Sequence, residues 1–204
     1  MRSLVASVIV LMLALAAFAA ATDGFQVATS ESARRLQVLR SPSPLPDAAL
    51  GFADGRGTRL HADLGADGRI VVLDFIYTRC ETLCTALGSD FQRLQREIRA
   101  RGLENRVRLL SLSFDPVHDT PRVLAERARW LRADPALWQF ASVPDARELQ
   151  DLLRAAGVVV IADGLGGYVH NAALHVVAPD ARLVRIRDLG EVDQVLHDAA
   201  RATP

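Results

Sequence analysis

Ile70-Val71-Val72-Leu73-Asp74-Phe75-Ile76-Tyr77-Thr78-Arg79-Cys80-Glu81-Thr82-Leu83-Cys84 decides how this chain folds. Its first seven residues are almost continuously apolar, the pattern of a strand buried on both faces. Further on, Leu83, Leu87, Phe91, Leu94 and Ile98 recur at helical spacing, so a helix is predicted from Glu81 to Ala100, ended by Gly102. The only two cysteines, Cys80 and Cys84, thus fall where a core strand gives way to a helix. Peptide N–H groups converge there, and the helix dipole lowers the cost of a thiolate. On a helical turn the two Cα atoms lie ~6 Å apart. That spacing suits a disulfide as well as two sulfurs on one metal ion. A purely structural disulfide explains the pair poorly, because closing so short a loop stabilises little.

Outward from this stretch, Val107 to Phe114 reads as a second core strand, and Thr120-Pro121 opens a helix with an N-cap and a proline at its first position. A short strand over Trp138 to Val143 and a helix over Asp145 to Ala156 follow. Ala172 to Ala178 and Arg182 to Arg187 form a pair across the Pro179-Asp180-Ala181 turn, and Val192 to Ala200 closes the chain as a helix. Before the core, Ala48 to His61 reads as a hairpin around Asp54-Gly55-Arg56-Gly57, and Gly65 to Gly68 as a further turn. Parallel βαβ followed by antiparallel ββα is the thioredoxin plan. The expected class is therefore α/β, thioredoxin-like, a central mixed sheet flanked by helices with an N-terminal β-hairpin.

The chain has 204 residues. Residues 1–21, with Arg2 ahead of an uncharged Leu/Ala-rich run ending in Ala19-Ala20-Ala21, read as a signal peptide or membrane anchor. No cysteine lies near the possible cleavage site, which excludes a lipid-modified terminus. Residues 22–46, with Ser41-Pro42-Ser43-Pro44-Leu45-Pro46, read as a flexible tether that cannot continue a helix or a central strand, and Arg34 to Arg40 as a short helical turn. Residues 47–204 form the folded domain, large enough for a real core. Basic and acidic residues balance at 24 each, so nucleic acid is not expected as a partner. There is no lysine, which rules out Schiff-base chemistry and P-loop phosphate binding.

Three motifs resemble the Sco/SenC family. Phe75-Ile76-Tyr77-Thr78-x-Cys80-x3-Cys84 is similar to that family's copper-site strand and loop. Ser111-Leu112-Ser113-Phe114-Asp115-Pro116-x-x-Asp119-Thr120-Pro121 resembles its SxSxDPxxDTP stretch. Val169-His170-Asn171, followed by an apolar strand ending in Pro179-Asp180, resembles its histidine loop and hairpin. The resemblance covers roughly residues 45–200. It implies a thioredoxin fold and residence in the periplasm or on the outer face of the cytoplasmic membrane. It implies Cu(I)/Cu(II) binding by Cys80, Cys84 and His170, and copper delivery to, or maturation of, the CuA centre of cytochrome c oxidase. The implied partner is an oxidase subunit or another copper or thiol protein, with the membrane touched only through a possible N-terminal anchor. Glu81 and Thr85 stand where the family carries prolines, and Val169 where it carries aspartate. Glu81 places a carboxylate beside a thiolate and disfavours the anion.

Two thiolates and an imidazole suit copper in both oxidation states; zinc usually takes four protein ligands, or three and a water. The same dithiol also fits an extracytoplasmic thiol-disulfide oxidoreductase that needs no metal, with Cys80 attacking and Cys84 resolving. Without the resemblance, His170 is an ordinary loop histidine in the Gly-rich stretch Gly164 to Tyr168. His175, inside a strand, is expected to face away from a ligand. His118 falls on a loop near the cysteines and reads as solvent-exposed, while His61 and His197 read as surface residues. Asp115 and Asp119 are expected to shape the turn and cap the following helix. Asp74 is an acid inside an apolar strand, held by neighbouring backbone or serving as a buried proton acceptor. Trp130, Trp138 and Tyr77 are expected to fill the core.

Overall fold

The computed structural model describes residues 2–22, 29–79 and 83–202, with the side chains at 2–6, 21, 30 and 83–85 left aside. The chain divides into two units, Met1–Ser41 and Pro42–Pro204. In the first, the apolar run forms one helix, α1 (Arg2–Ala21), along which Val8 to Leu13 and Phe18 are exposed. Among the described residues no helix is long and apolar enough to cross a membrane. A second helix, α2 (Ser30–Arg40), begins four residues before the predicted turn at Arg34. Thr29 Oγ1 accepts from the Ser32 amide at 3.1 Å and Ser32 Oγ accepts from the Thr29 amide at 3.0 Å. That reciprocal cap was hidden because serine replaces the usual glutamate or glutamine.

The second unit is built on a mixed eight-stranded sheet. A two-residue edge strand, β1 (Ser43–Pro44), pairs with β10, which suits a proline confined to an edge. The hairpin β2 (Ala49–Phe52) and β3 (Gly57–Arg59) follows as expected. Next come α3 (Leu60–Asp67), β4 (Ile70–Ile76), α4 (Leu83–Ala100), β5 (Val107–Ser113), α5 (Pro121–Trp130) and β6 (Trp138–Ser142). The chain continues with α6 (Ala146–Ala156), β7 (Val160–Ala162), β8 (Tyr168–His170), β9 (Leu174–Val177), β10 (Arg182–Arg187) and α7 (Val192–Arg201). The sheet order is β1-β10-β9-β4-β5-β6-β2-β3. Strand β4 is central, parallel to β5 and antiparallel to β9, and β5 runs parallel to β6. This is the thioredoxin-like arrangement that the element order predicts. Every residue of β4 and β5 is buried, as their continuous apolar pattern requires.

Two elements differ from the reading of the sequence. The turn expected at Gly65 to Gly68 is the end of α3, where Gly68 takes a left-handed φ of 73°. Its function is electrostatic. Arg108 is the second residue of β5 and is buried, and α3 supplies Asp63, whose Oδ2 accepts from Arg108 Nη2 at 2.6 Å, with Asp67 3.3 Å away. The Gly-rich stretch read as a loop is the turn of a separate two-stranded sheet, β7 with β8, whose strands the sequence reading did not place. Asp163 builds its turn by accepting the amides of Leu165 at 2.7 Å and Gly167 at 2.9 Å. A Cβ at position 167 would stand 2.7 Å from the Asp163 carboxylate, so a larger residue there would have to displace the group that builds the turn. Of the three aromatics assigned to the core, Trp138 and Tyr77 are buried, but Trp130 is 63% exposed and lies under the Arg127 guanidinium. The last turn of α5 turns Trp130 outward, while Leu124 and Leu131 face the sheet.

Candidate metal centre

Cys80 and Glu81 lie outside the described residues, as do the side chains of Cys84 and Thr85. The residues leading up to Cys80 are described. Thr78 is held by Asp119, which accepts from the Thr78 amide at 3.0 Å and from its hydroxyl at 2.5 Å. The same carboxylate accepts from Ser113 Oγ at 2.5 Å. Asp119 is fully buried, so it does more than cap a helix: it joins the end of β5 to the residues that lead into Cys80. The cap of α5 is Thr120. Beside it, Asp115 accepts from Arg79 at 2.8 Å and from His118 Nδ1 at 2.9 Å. Burial works against the Asp115 anion, yet the hydrogen bonds and charges of His118 and Arg79 outweigh it and hold its pKa below the ordinary value. His118 itself is exposed at the surface of this cluster. Spacing alone suggested capping; the buried roles of both aspartates appear only when the loop after β5 meets Thr78 and Arg79.

His170 ends β8 and is buried, 8% exposed, rather than lying free in a loop. Its ring packs against Phe114 at 5.0 Å and Tyr77 at 6.0 Å. This places it over the ends of β5 and β4, beside Tyr77, which stands three residues before Cys80 in the chain. The Nδ1 atom contacts the Asn171 carbonyl oxygen at 3.0 Å. A carbonyl only accepts, so Nδ1 carries the proton and Nε2 keeps its lone pair. Among the described residues that buried Nε2 has no hydrogen-bond partner. Burial also pushes the His170 pKa down, only partly opposed by the Asn171 contact, so the neutral ring is favoured. A neutral imidazole, fixed in one tautomer with a bare buried nitrogen, is the form that binds a soft or borderline metal. The residues present therefore fit a copper ion. Asn171 steadies His170 from behind, accepting from the Val159 amide at 2.7 Å and donating to the Gly157 carbonyl at 3.0 Å.

Alternation along β8 turns Val169 outward, 64% exposed, while Tyr168 and His170 face inward. The residue at position 169 is thus no neighbour of the His170 ring on the buried side. The other histidines stay apart. His175 is buried in β9, with Nε2 3.1 Å from the Ala156 carbonyl and its ring edge-on to Phe75. His61 contacts the Leu45 carbonyl at 2.7 Å, and His197 is exposed.

Asp74 lies deeper, on the sheet face lined by Gly88 of α4 and by Arg127 and Leu131 around α5. It is completely buried, and among the described residues its Oδ1 has no hydrogen-bond partner. Desolvation raises its pKa to about 7, with Ser111 and Arg127 opposing. Ser111 Oγ also accepts from Trp138 Nε1 at 3.0 Å, so a short polar network runs beneath α5.

The family described as SCO1/SenC matches residues 52–201. The SCO1 protein homolog of Bacillus subtilis (strain 168) is 26% identical over 147 residues, 71% of this chain and 72% of that one. The structure of BsSco, described as having a disulfide switch and as a member of the Sco family of cytochrome c oxidase assembly proteins, is 24% identical with a TM-score of 0.65, covering 80% of this chain and 96% of that one. Bradyrhizobium japonicum ScoI, solved with copper bound, superposes with a TM-score of 0.61 at 21% identity, over 78% of this chain and 99% of that one. The match over residues 52–201 shows that this chain belongs to the SCO1/SenC family.

Proposed function

We propose that this protein is an exported copper metallochaperone. It binds one copper ion through Cys80, Cys84 and His170 and passes it to the CuA centre of cytochrome c oxidase. The observation that carries the reading is the buried His170 ring, its Nδ1 engaged by Asn171 and its Nε2 without a partner among the described residues, held over the strand end that leads into the cysteine pair. The copper in a solved ScoI relative and the oxidase-assembly role described for BsSco support it. Thiolates select Cu(I) and imidazole accepts Cu(II), so the same three ligands tolerate both states. Ligand exchange with an incoming thiol or imidazole then moves the cargo without any covalent change in the protein. The apolar N-terminal helix α1 serves as export signal or anchor, which puts the domain outside the cytoplasm.

The test is anaerobic Cu(I) loading of the reduced domain in competition with a chromophoric chelator. The parent binds one equivalent, and His170→Ala loses at least about tenfold in affinity. Copper-loaded parent also metallates a copper-free CuA domain. Failure of the parent to bind, or equal binding by His170→Ala, contradicts the three-ligand site. Turnover of a disulfide substrate by the metal-free dithiol would then favour the oxidoreductase reading.

A further inference from the structure

The hairpin that carries His170 is not a strand of the main sheet; β7 and β8 pair only with each other in the sheet order. Something else has to fix its position. Two hydrogen bonds cross to it from the end of β4, and both use the Tyr77 hydroxyl. It donates to the Tyr168 carbonyl at 3.0 Å and accepts from the Tyr168 amide at 3.2 Å. One hydroxyl can do both at once, and no other side chain of that shape can. The ring below is wedged among Phe114 at 5.3 Å, Tyr168 at 5.3 Å and His170 at 6.0 Å. The hairpin is shaped to allow the approach, since a Cβ at Gly167 would come within 3.4 Å of the Tyr77 oxygen. Thr78, next in the chain, is tied to Asp119 on the opposite side. The two residues before Arg79 and Cys80 are therefore anchored from two directions, one to the β5 loop and one to the histidine hairpin.

We propose that Tyr77 is the positioning residue for His170: its hydroxyl fixes the histidine hairpin on the strand that presents Cys80, so that imidazole and thiolates meet one ion at a set distance. The proposal rests on the copper reading of the site. It assigns Tyr77 no contact with the metal; the residue acts through the Tyr168 backbone.

Tyr77→Phe keeps the ring packing and removes only the tie. In the metal-free protein, amide exchange at Tyr168 is expected to rise about tenfold. In the loaded protein, Cu(I) affinity is expected to fall about tenfold, and the Cu(II) electron paramagnetic resonance signal to lose its imidazole nitrogen coupling. Val107→Ala, a core truncation at the far end of β5, serves as the control for general loosening. It is expected to lower the melting temperature while leaving both copper readouts as in the parent. Unchanged Tyr168 exchange in Tyr77→Phe overturns the proposal, as does a copper signal altered equally by Val107→Ala. Exchange is read without metal. If the parent binds no copper, the copper reading fails, and Tyr168 exchange alone decides the tie.

Discussion

Asp74 shows what one residue costs when it is misplaced by ordinary rules. An acid in a fully buried strand, with one oxygen unpaired, keeps its proton up to about pH 7. In the unfolded chain the same carboxyl releases it near the ordinary 3.8. Between those values unfolding releases a proton, so stability falls as pH rises through the window and is lowest above it. Asp74→Asn removes the titration. The variant is expected to match the parent near pH 4 and to exceed it at pH 8, by at most about 4 kcal/mol, since each pH unit is worth about 1.4 kcal/mol. Urea denaturation at the two pH values measures it, and parallel pH profiles for parent and variant contradict it. The sequence pointed to Asp74 as unusual, because acids do not belong in apolar runs. It did not reveal that Ser111 and Trp138 form the rest of the polar network, since those residues are brought together only by the β4-β5-β6 register.

At the scale of elements, strong periodicity was legible and weak periodicity was not. Strands β4 and β5, the long amphipathic α4 and the Thr120-Pro121 start of α5 stand where their apolar spacing and capping residues put them. Helix α3 escaped because it is only eight residues long and contains Gly65, a poor helix former. What stabilises it is tertiary: Asp63 and Asp67 meet the guanidinium of Arg108, which β5 buries. Asp63→Ala leaves that cation with weaker compensation. It is expected to destabilise the domain by about 3 kcal/mol, as breaking a buried ion pair does, with no change in copper stoichiometry. Thermal unfolding measures the loss, and an unchanged melting temperature would show that Asp67 alone suffices. The β7–β8 hairpin escaped for a different reason. Its turn is glycine-rich and its ladder short, so its order comes from the Asp163 turn and from Tyr77, a partner 91 residues away.

For the whole molecule, a thioredoxin-like sheet places three distant segments at one end: the strand end before Cys80, the Asp115–Asp119 loop and the His170 hairpin. The resemblance of three motifs anticipated that convergence; the buried ring and bare Nε2 of His170 give it a physical basis. The proposed ligand types and their order come from the sequence. The supports do not, because hydrogen bonds such as Thr78 to Asp119 and Tyr77 to Tyr168 join residues far apart in the chain. The central claim is one copper ion held by two sulfurs and one imidazole. X-ray absorption on the Cu(I)-loaded domain tests it most directly. Two sulfur scatterers and one nitrogen with imidazole outer-shell features are expected in the parent, and the nitrogen and those features should vanish in His170→Ala. A sulfur-only copper environment, identical in parent and variant, would contradict the account.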